Sequence, residues 1–298
     1  MILKYLILML FFTVSEANIL KVKPILYKAE NLELSPYPVY LFGTGHFYNL
    51  GLEDFEIEVW DLLTSSSTLM VEIYDEPKYL RKFKLLLKLL TGSLVLDHHI
   101  MDYAESKGLK ILALDDIKSL DKMITKLIFL SILNRIQKSY INIKKSINSN
   151  DLSPLEKVKL IFASHDKSYL NLWLAYTYGD TQSLYTMCQV DDLPTFKFHA
   201  ILSREALIED YNRRTQISKK LYDFTQNEVT SLRNQNWLKK ILNILPLCNS
   251  SLSICVGSMH LLEEDTDSLF HLLTAEGFEV TRLSQEEIVQ ELQSIQNK

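Results

Sequence analysis

Two histidines, one early in the chain and one late, follow the same local grammar. Gly43-Thr-Gly-His46 closes the apolar run Val39–Phe42, and Gly257-Ser-Met-His260 closes the apolar run Leu252–Val256. In each, core residues end in a glycine and an imidazole follows three positions on. Glycine lets the chain turn sharply at the carboxyl end of a strand, which is where open α/β sheets place their ligands. A third candidate is Glu72, a carboxylate inside the otherwise apolar stretch Leu69-Met-Val-Glu-Ile73. Burying it ionised costs on the order of several kcal/mol unless it is paired or coordinated, so Glu72 requires a partner. Two neutral imidazoles and a carboxylate suit a divalent transition metal, and manganese, cobalt and zinc all accept mixed nitrogen and oxygen ligands. On spacing alone, a buried arginine beside Glu72 accounts for its position equally well.

Residues this far apart need a scaffold that brings distant strand ends together. Val39–Phe42 reads as a buried strand, and Leu52, Phe55, Val59, Leu62 and Leu63 recur at the helical period behind it. Leu69–Ile73 is a second core strand. A helix around Ile100–Ala104 closed by Gly108 and a strand Ile111–Leu114 follow, so strand and helix alternate as parallel βαβ units require. From about 116 to 247 the pattern turns helical, with Ile124, Ile128, Leu130 and Leu133 in one helix. Strand character returns at Leu252–Val256 and Phe278–Leu283, separated by a helix through Leu269, Phe270 and Leu273 that stops at Gly277. Ser284 and Glu287 form a capping box for a last helix. The expected fold is α/β: a mixed central sheet built from both ends of the chain, with a large helical insertion at about 116–247.

Composition narrows the function. At 298 residues, 47% hydrophobic and 23% charged, with only 8 Gly and 7 Pro, the chain is neither collagen-like nor low-complexity. Three cysteines are too few for a disulfide scaffold. A net charge of −5 is the wrong sign for a protein that binds by neutralising phosphates, so no nucleic-acid partner is expected. Lys4, the apolar run Tyr5–Val14 and the small residues Ser15 and Ala17 have the order of a secretory signal peptide. Cleavage is expected after Ala17, which leaves a mature domain over 18–298, secreted or periplasmic and without a stable membrane span. The residue pattern does not fix an oligomeric state.

At the glycine–histidine motifs and Glu72 the sequence resembles the TraB/PrgY/GumN family, which includes the Tiki proteins and is marked by two GxxH motifs with an acidic residue after the first. Leu41-Phe-Gly-Thr-Gly-His46 resembles the first motif, and Leu69-Met-Val-Glu72-Ile the strand with its glutamate. Leu96-Asp-His-His-Ile100 through Leu112-Ala-Leu-Asp115 resembles a helix followed by a strand ending in Leu-x-Leu-Glu, with Asp115 where Glu is usual. Trp173 with Gly179-Asp180, Arg233-Asn-Gln-Asn-Trp237, Val256-Gly-Ser-Met-His260-Leu and Gly277-Phe-Glu-Val-Thr-Arg282 resemble later segments in the same order. So many ordered matches, from about residue 25 to 283, exceed what short motifs reach by accident.

The Tiki members are regarded as metal-dependent proteases. The resemblance therefore implies a manganese, cobalt or zinc ion held by His46, His260 and Glu72. It also implies an exported hydrolase, a metalloprotease that turns an activated water on a peptide or small-molecule substrate. Glu72 is then a ligand or the general base. Asp115 is a further catalytic candidate, its carboxylate one methylene shorter than the family's. Arg233 either stabilises a developing oxyanion, binds a substrate carboxylate, or pairs with Glu72 or Asp115. The alternative is a binding module that sequesters a peptide signal or other ligand without cleaving it, and a remoter one is hydrolysis of a small ester or lactone.

Overall fold

The computed structural model describes residues 21–45, 52–72, 96–116, isolated helical positions between 122 and 133, residues 175–176 and 178–189, and 216–297. The expected signal peptide, His46 and Trp173 lie outside the described residues.

Six strands form one sheet in the order β4-β3-β5-β2-β1-β6. They are β1 (Ile25–Glu30), β2 (Val39–Thr44), β3 (Thr68–Val71), β4 (Lys110–Ala113), β5 (Leu252–Gly257) and β6 (Glu279–Arg282). β2, β3, β4 and β5 run parallel, while β1 lies antiparallel to both β2 and β6. The sheet is thus mixed, with the late strand β5 set among the early ones and β6 forming the edge beside β1. β5 sits at the centre, between β2 and β3. Thr44 lies opposite Gly257 across the β2–β5 pair, so the two glycine–histidine motifs leave neighbouring strands at one level.

The helices among the described residues are α1 (Ile57–Thr64), α2 (Leu96–Ser106), α3 (Thr181–Gln189), α4 (Gln216–Phe224), α5 (Leu232–Ile244), α6 (Leu269–Ala275) and α7 (Gln285–Gln296). A stretch of π-helix, Thr225–Ser231, joins α4 to α5. α1 starts later than the apolar period from Leu52 to Leu63 predicts. Glu56 is extended at the N-cap, Leu52–Asp54 is a short 3-10 turn, and Trp60 Nε1 donates to the Leu52 carbonyl across the break at 2.8 Å. Trp60, Phe42 and Phe55 pack edge to face with centroids 5.2–5.5 Å apart, which locks α1 onto β2. Gly277, at φ 82, gives the helix stop read from the sequence.

β1 is an addition to the expected strands. Lys28 and Glu30 break its apolar pattern, yet Lys28 Nζ is bound by Glu291 Oε2 of α7 at 2.9 Å and the remaining side chains are mostly buried. α7 carries the capping box read from the sequence: Ser284 accepts from the Glu287 amide, and Glu287 accepts from the Ser284 amide. The first half of the insertion touches the sheet through two hydrogen bonds involving Tyr176 and Gly179. Tyr176 Oη donates to the Gly43 carbonyl at 2.8 Å, and Arg282 Nη2 donates to the Gly179 carbonyl at 2.7 Å. No helix among the described residues is long and apolar enough to cross a membrane.

Candidate functional site

The site grows from the carboxyl ends of three neighbouring strands. β3 ends at Val71, so Glu72 stands just beyond the strand instead of inside it as the apolar run suggests. Backbone pairing continues past the strand ends: the Leu114 amide donates to the Val71 carbonyl and the Asp115 amide to the Glu72 carbonyl, at 2.8 and 3.0 Å. That pairing sets the Glu72 and Asp115 carboxylates side by side. On the other flank, the Gly257 amide at the end of β5 donates to Glu72 Oε1 at 2.6 Å, and a 3-10 turn over Ser258–His260 carries the imidazole back over the sheet.

The glycines that open the motifs do a different job from the sharp turn expected of them. Gly257 has φ −53, open to any residue, and the positive-φ glycines among the described residues are Gly108, Gly179 and Gly277. Gly43 supplies space: a Cβ there would lie 3.1 Å from both Ser258 Cα and Ile25 Cγ2. A side chain at 43 would push apart the two strand ends that bear the motifs.

Against these ends lies α5. Arg233, Trp237 and Lys240 recur at spacings of four and three and therefore share one helical face. Each grips the end of β4: Arg233 and Trp237 bind Asp115, and Lys240 Nζ donates to the Leu114 carbonyl at 2.5 Å. Arg233 is the hub. Its Nη2 donates to Glu72 Oε2 at 2.7 Å and Asp115 Oδ2 at 2.6 Å, its Nε donates to the same Asp115 oxygen at 3.1 Å, and its guanidinium lies 4.4 Å over the Trp237 ring. Among the described residues Nη1 makes only long contacts, 3.4 Å to the Val229 carbonyl and to His260 Nε2. Burial disfavours the guanidinium charge, but Glu72 and Asp115 outweigh it and hold the arginine ionisation above its ordinary value. Two carboxylates around one guanidinium leave the ionised cluster one negative charge in excess.

Asn234 decides the state of His260. It is wholly buried, and its Nδ2 donates to the Asp267 carbonyl at 2.8 Å, so its Oδ1 must be the atom facing His260 Nδ1 at 2.7 Å. A carbonyl oxygen accepts, so Nδ1 carries the proton and the lone pair of the neutral ring lies on Nε2. Nε2 faces Glu72 Oε1 at 3.9 Å, and Trp237 covers the ring at 4.5 Å. Tetrahedral bonds of about 2.1 Å set two donors about 3.4 Å apart, so these two would have to close by about 0.5 Å to share one ion. Metal-bound imidazoles also use the support seen here, in which the other ring nitrogen donates to a fixed oxygen. Thr44, paired with Gly257 in the sheet, adds a buried hydroxyl with no hydrogen-bond partner among the described residues.

Of the residues singled out from the sequence, the structure thus brings Glu72, Asp115, Arg233 and His260 together. His46, the remaining donor named there, lies outside the described residues, among which no group of three His, Cys, Asp or Glu is placed to hold a metal. Both oxygens of Asp115 are committed, Oδ2 to Arg233 and Oδ1 to Trp237 Nε1 at 2.8 Å, so Asp115 acts as an anchor for Arg233. Sequence spacing did not reveal the roles of Asn234 and Trp237, though their positions one and four residues after Arg233 on a helix were a usable signal. Tyr176 offered none, because its partner is a backbone carbonyl.

The family model described as "TraB/PrgY/gumN family" matches residues 85–282, well over half of the chain. The matched span contains Asp115, Arg233, Asn234, Trp237 and His260 and begins after His46 and Glu72. No curated protein and no solved structure matches the chain.

Proposed function

The chain belongs to the TraB/PrgY/gumN family, and on that premise we propose that it is an exported metal-dependent hydrolase whose reacting centre lies between His260 and Glu72, with peptides as substrate. The observation that supports this reading is the Asn234-fixed imidazole, whose Nε2 lies 3.9 Å from Glu72 Oε1 and 3.4 Å from Arg233 Nη1. His260 Nε2 and Glu72 Oε1 would hold a manganese, cobalt or zinc ion, with His46 as the third donor named by the family motif. When bound, such an ion lowers the pKa of a coordinated water and polarises a carbonyl. The protein's own part is orientation. Arg233 fixes Glu72 through Oε2 and leaves Oε1 facing the imidazole, Asp115 and Trp237 fix Arg233, and Nη1 is the guanidinium nitrogen left to receive charge developing on a substrate oxygen.

The test is hydrolysis of a peptide panel, with matched esters, by residues 18–298 supplied with manganese, cobalt or zinc. Glu72→Gln and His260→Ala should each lower the rate by at least about a hundredfold, in the range that positioned acid–base and ligand groups contribute. Wild-type rates in both variants would overturn the reading.

One observation favours the binding-module alternative: Arg233 itself already bridges the two carboxylates, so the cluster holds together without an added cation. Recovery of peptides intact, though bound, in the presence of each metal would select it.

A further inference from the structure

Beside the site lies a cavity of about 450 Å³ whose floor is the Arg233–Asp115 ion pair. That volume is in the range of small-ligand pockets. Among the described residues the ionic groups lining it are Lys122, Lys126, Arg233, Asp115 and Glu228. One of these cations has no counter-charge among the described residues. Lys126 is spent on Glu228 at 2.6 Å and on the Phe224 ring at 4.1 Å, and Arg233 is spent on its carboxylates. Lys122 makes no ion pair among the described residues. The walls also carry apolar surface: Met123, and Leu232, which leaves 51% of its area in water.

From this arrangement we infer that the cavity is a substrate subsite for a carboxylate, held by Lys122, with an apolar side group resting on Met123 and Leu232. The carboxylate belongs to a peptide C-terminus or to an acidic side chain. Arg233, which lines the cavity, joins it to Glu72 and His260 through the guanidinium. The inference rests on the peptide-hydrolase reading for its substrate class, but its test needs neither metal nor turnover.

The experiment is calorimetric titration of the purified protein in excess chelator with three probes: N-acetyl-leucine, N-acetyl-leucinamide, and N-acetyl-glutamic acid blocked as its α-amide. At least one carboxylate probe should bind roughly tenfold more tightly than leucinamide, the size of one charge-assisted contact in a partly wet pocket. Tighter binding of acetyl-leucine identifies a C-terminal carboxylate, and tighter binding of the blocked glutamate identifies a side chain. Lys122→Glu and Lys122→Gln, both at an exposed position, should erase the preference and leave leucinamide binding unchanged. Equal binding of all probes, no binding by any, or a preference that survives in both variants would overturn the subsite. Peptide cleavage indifferent both to the terminal carboxylate and to acidic side chains would overturn it while leaving the hydrolase reading intact.

Discussion

The two ends of β3 and β5 solve the same problem in different ways. At the amino end the buried polar groups are hydroxyls: Ser66 Oγ lies 3.0 Å from Ser251 Oγ and 2.7 Å from Ser253 Oγ, and Ser253 donates to the Leu63 carbonyl at 2.7 Å. Each is neutral, small and satisfied, and together they tie β5 to the turn before β3. At the carboxyl end the sheet carries Glu72, Asp115, Arg233 and His260. Joining the same strands there needs no charge, and removing ions from water costs free energy that their mutual attraction repays only with good geometry. The charged end is therefore built for something other than cohesion, whereas the hydroxyl end does only what cohesion asks.

Removing Arg233 strikes this contrast hardest. Arg233→Met leaves Glu72 and Asp115 without their common cation and should destabilise the fold by about 3–5 kcal/mol in chemical denaturation. Combining it with Glu72→Gln and Asp115→Asn should recover most of that loss while function stays absent; a triple variant as unstable as the single one would mean that the charges are there for cohesion after all. At the opposite end, Ser66→Ala should cost about 1–2 kcal/mol, by stranding buried hydroxyl partners, and leave catalysis and ligand binding at wild-type levels. A catalytic defect in a folded Ser66→Ala protein would erase the distinction between the ends.

The smallest effect concerns Glu264, in the loop after His260 but outside the arginine cluster. Burial raises its pKa above the ordinary value, and one of its oxygens is buried with no hydrogen-bond partner among the described residues. A carboxyl with a raised folded pKa binds more protons in the native state than in the unfolded one, so it makes stability fall as pH rises from the unfolded pKa through the folded one. Glu264→Gln should therefore flatten that decline and raise the melting temperature slightly at neutral pH. The gain is held under about 1 kcal/mol by solvent screening. A lower melting temperature at pH 7 would show that the hydrogen bond from Thr181 Oγ1 to Glu264 Oε1, at 3.2 Å, outweighs the cost of burying the carboxylate.

Much of this organisation is legible in the residues, and the exceptions have physical reasons. The strands around Phe42, Met70 and Ile254 announce themselves as apolar runs, because both of their faces are buried, whereas β6 alternates exposed and half-buried residues. β1 does not announce itself, since its Lys28 is neutralised by Glu291, more than 260 positions away, and no local pattern records such a partner. Glu72 is recognisable as a carboxylate in need of company, but not as a residue past the strand end, because Ile73 continues the apolar run. Spacing alone does not choose between arginine and metal as its partner. Arg233 proves to be one partner, through Oε2, and leaves Oε1 facing His260. The tautomer of His260 depends on the Asp267 carbonyl holding Asn234, a contact formed only in three dimensions.

The central claim is that His260 Nε2 and Glu72 Oε1 are two donors to one cation. Equilibrium dialysis against zinc or manganese tests it directly, with far-UV circular dichroism to certify the fold of each variant. The account predicts one ion per wild-type chain and loss of that ion in both His260→Ala and Glu72→Gln. No ion bound by the wild type, or undiminished binding by the two folded variants, would contradict it.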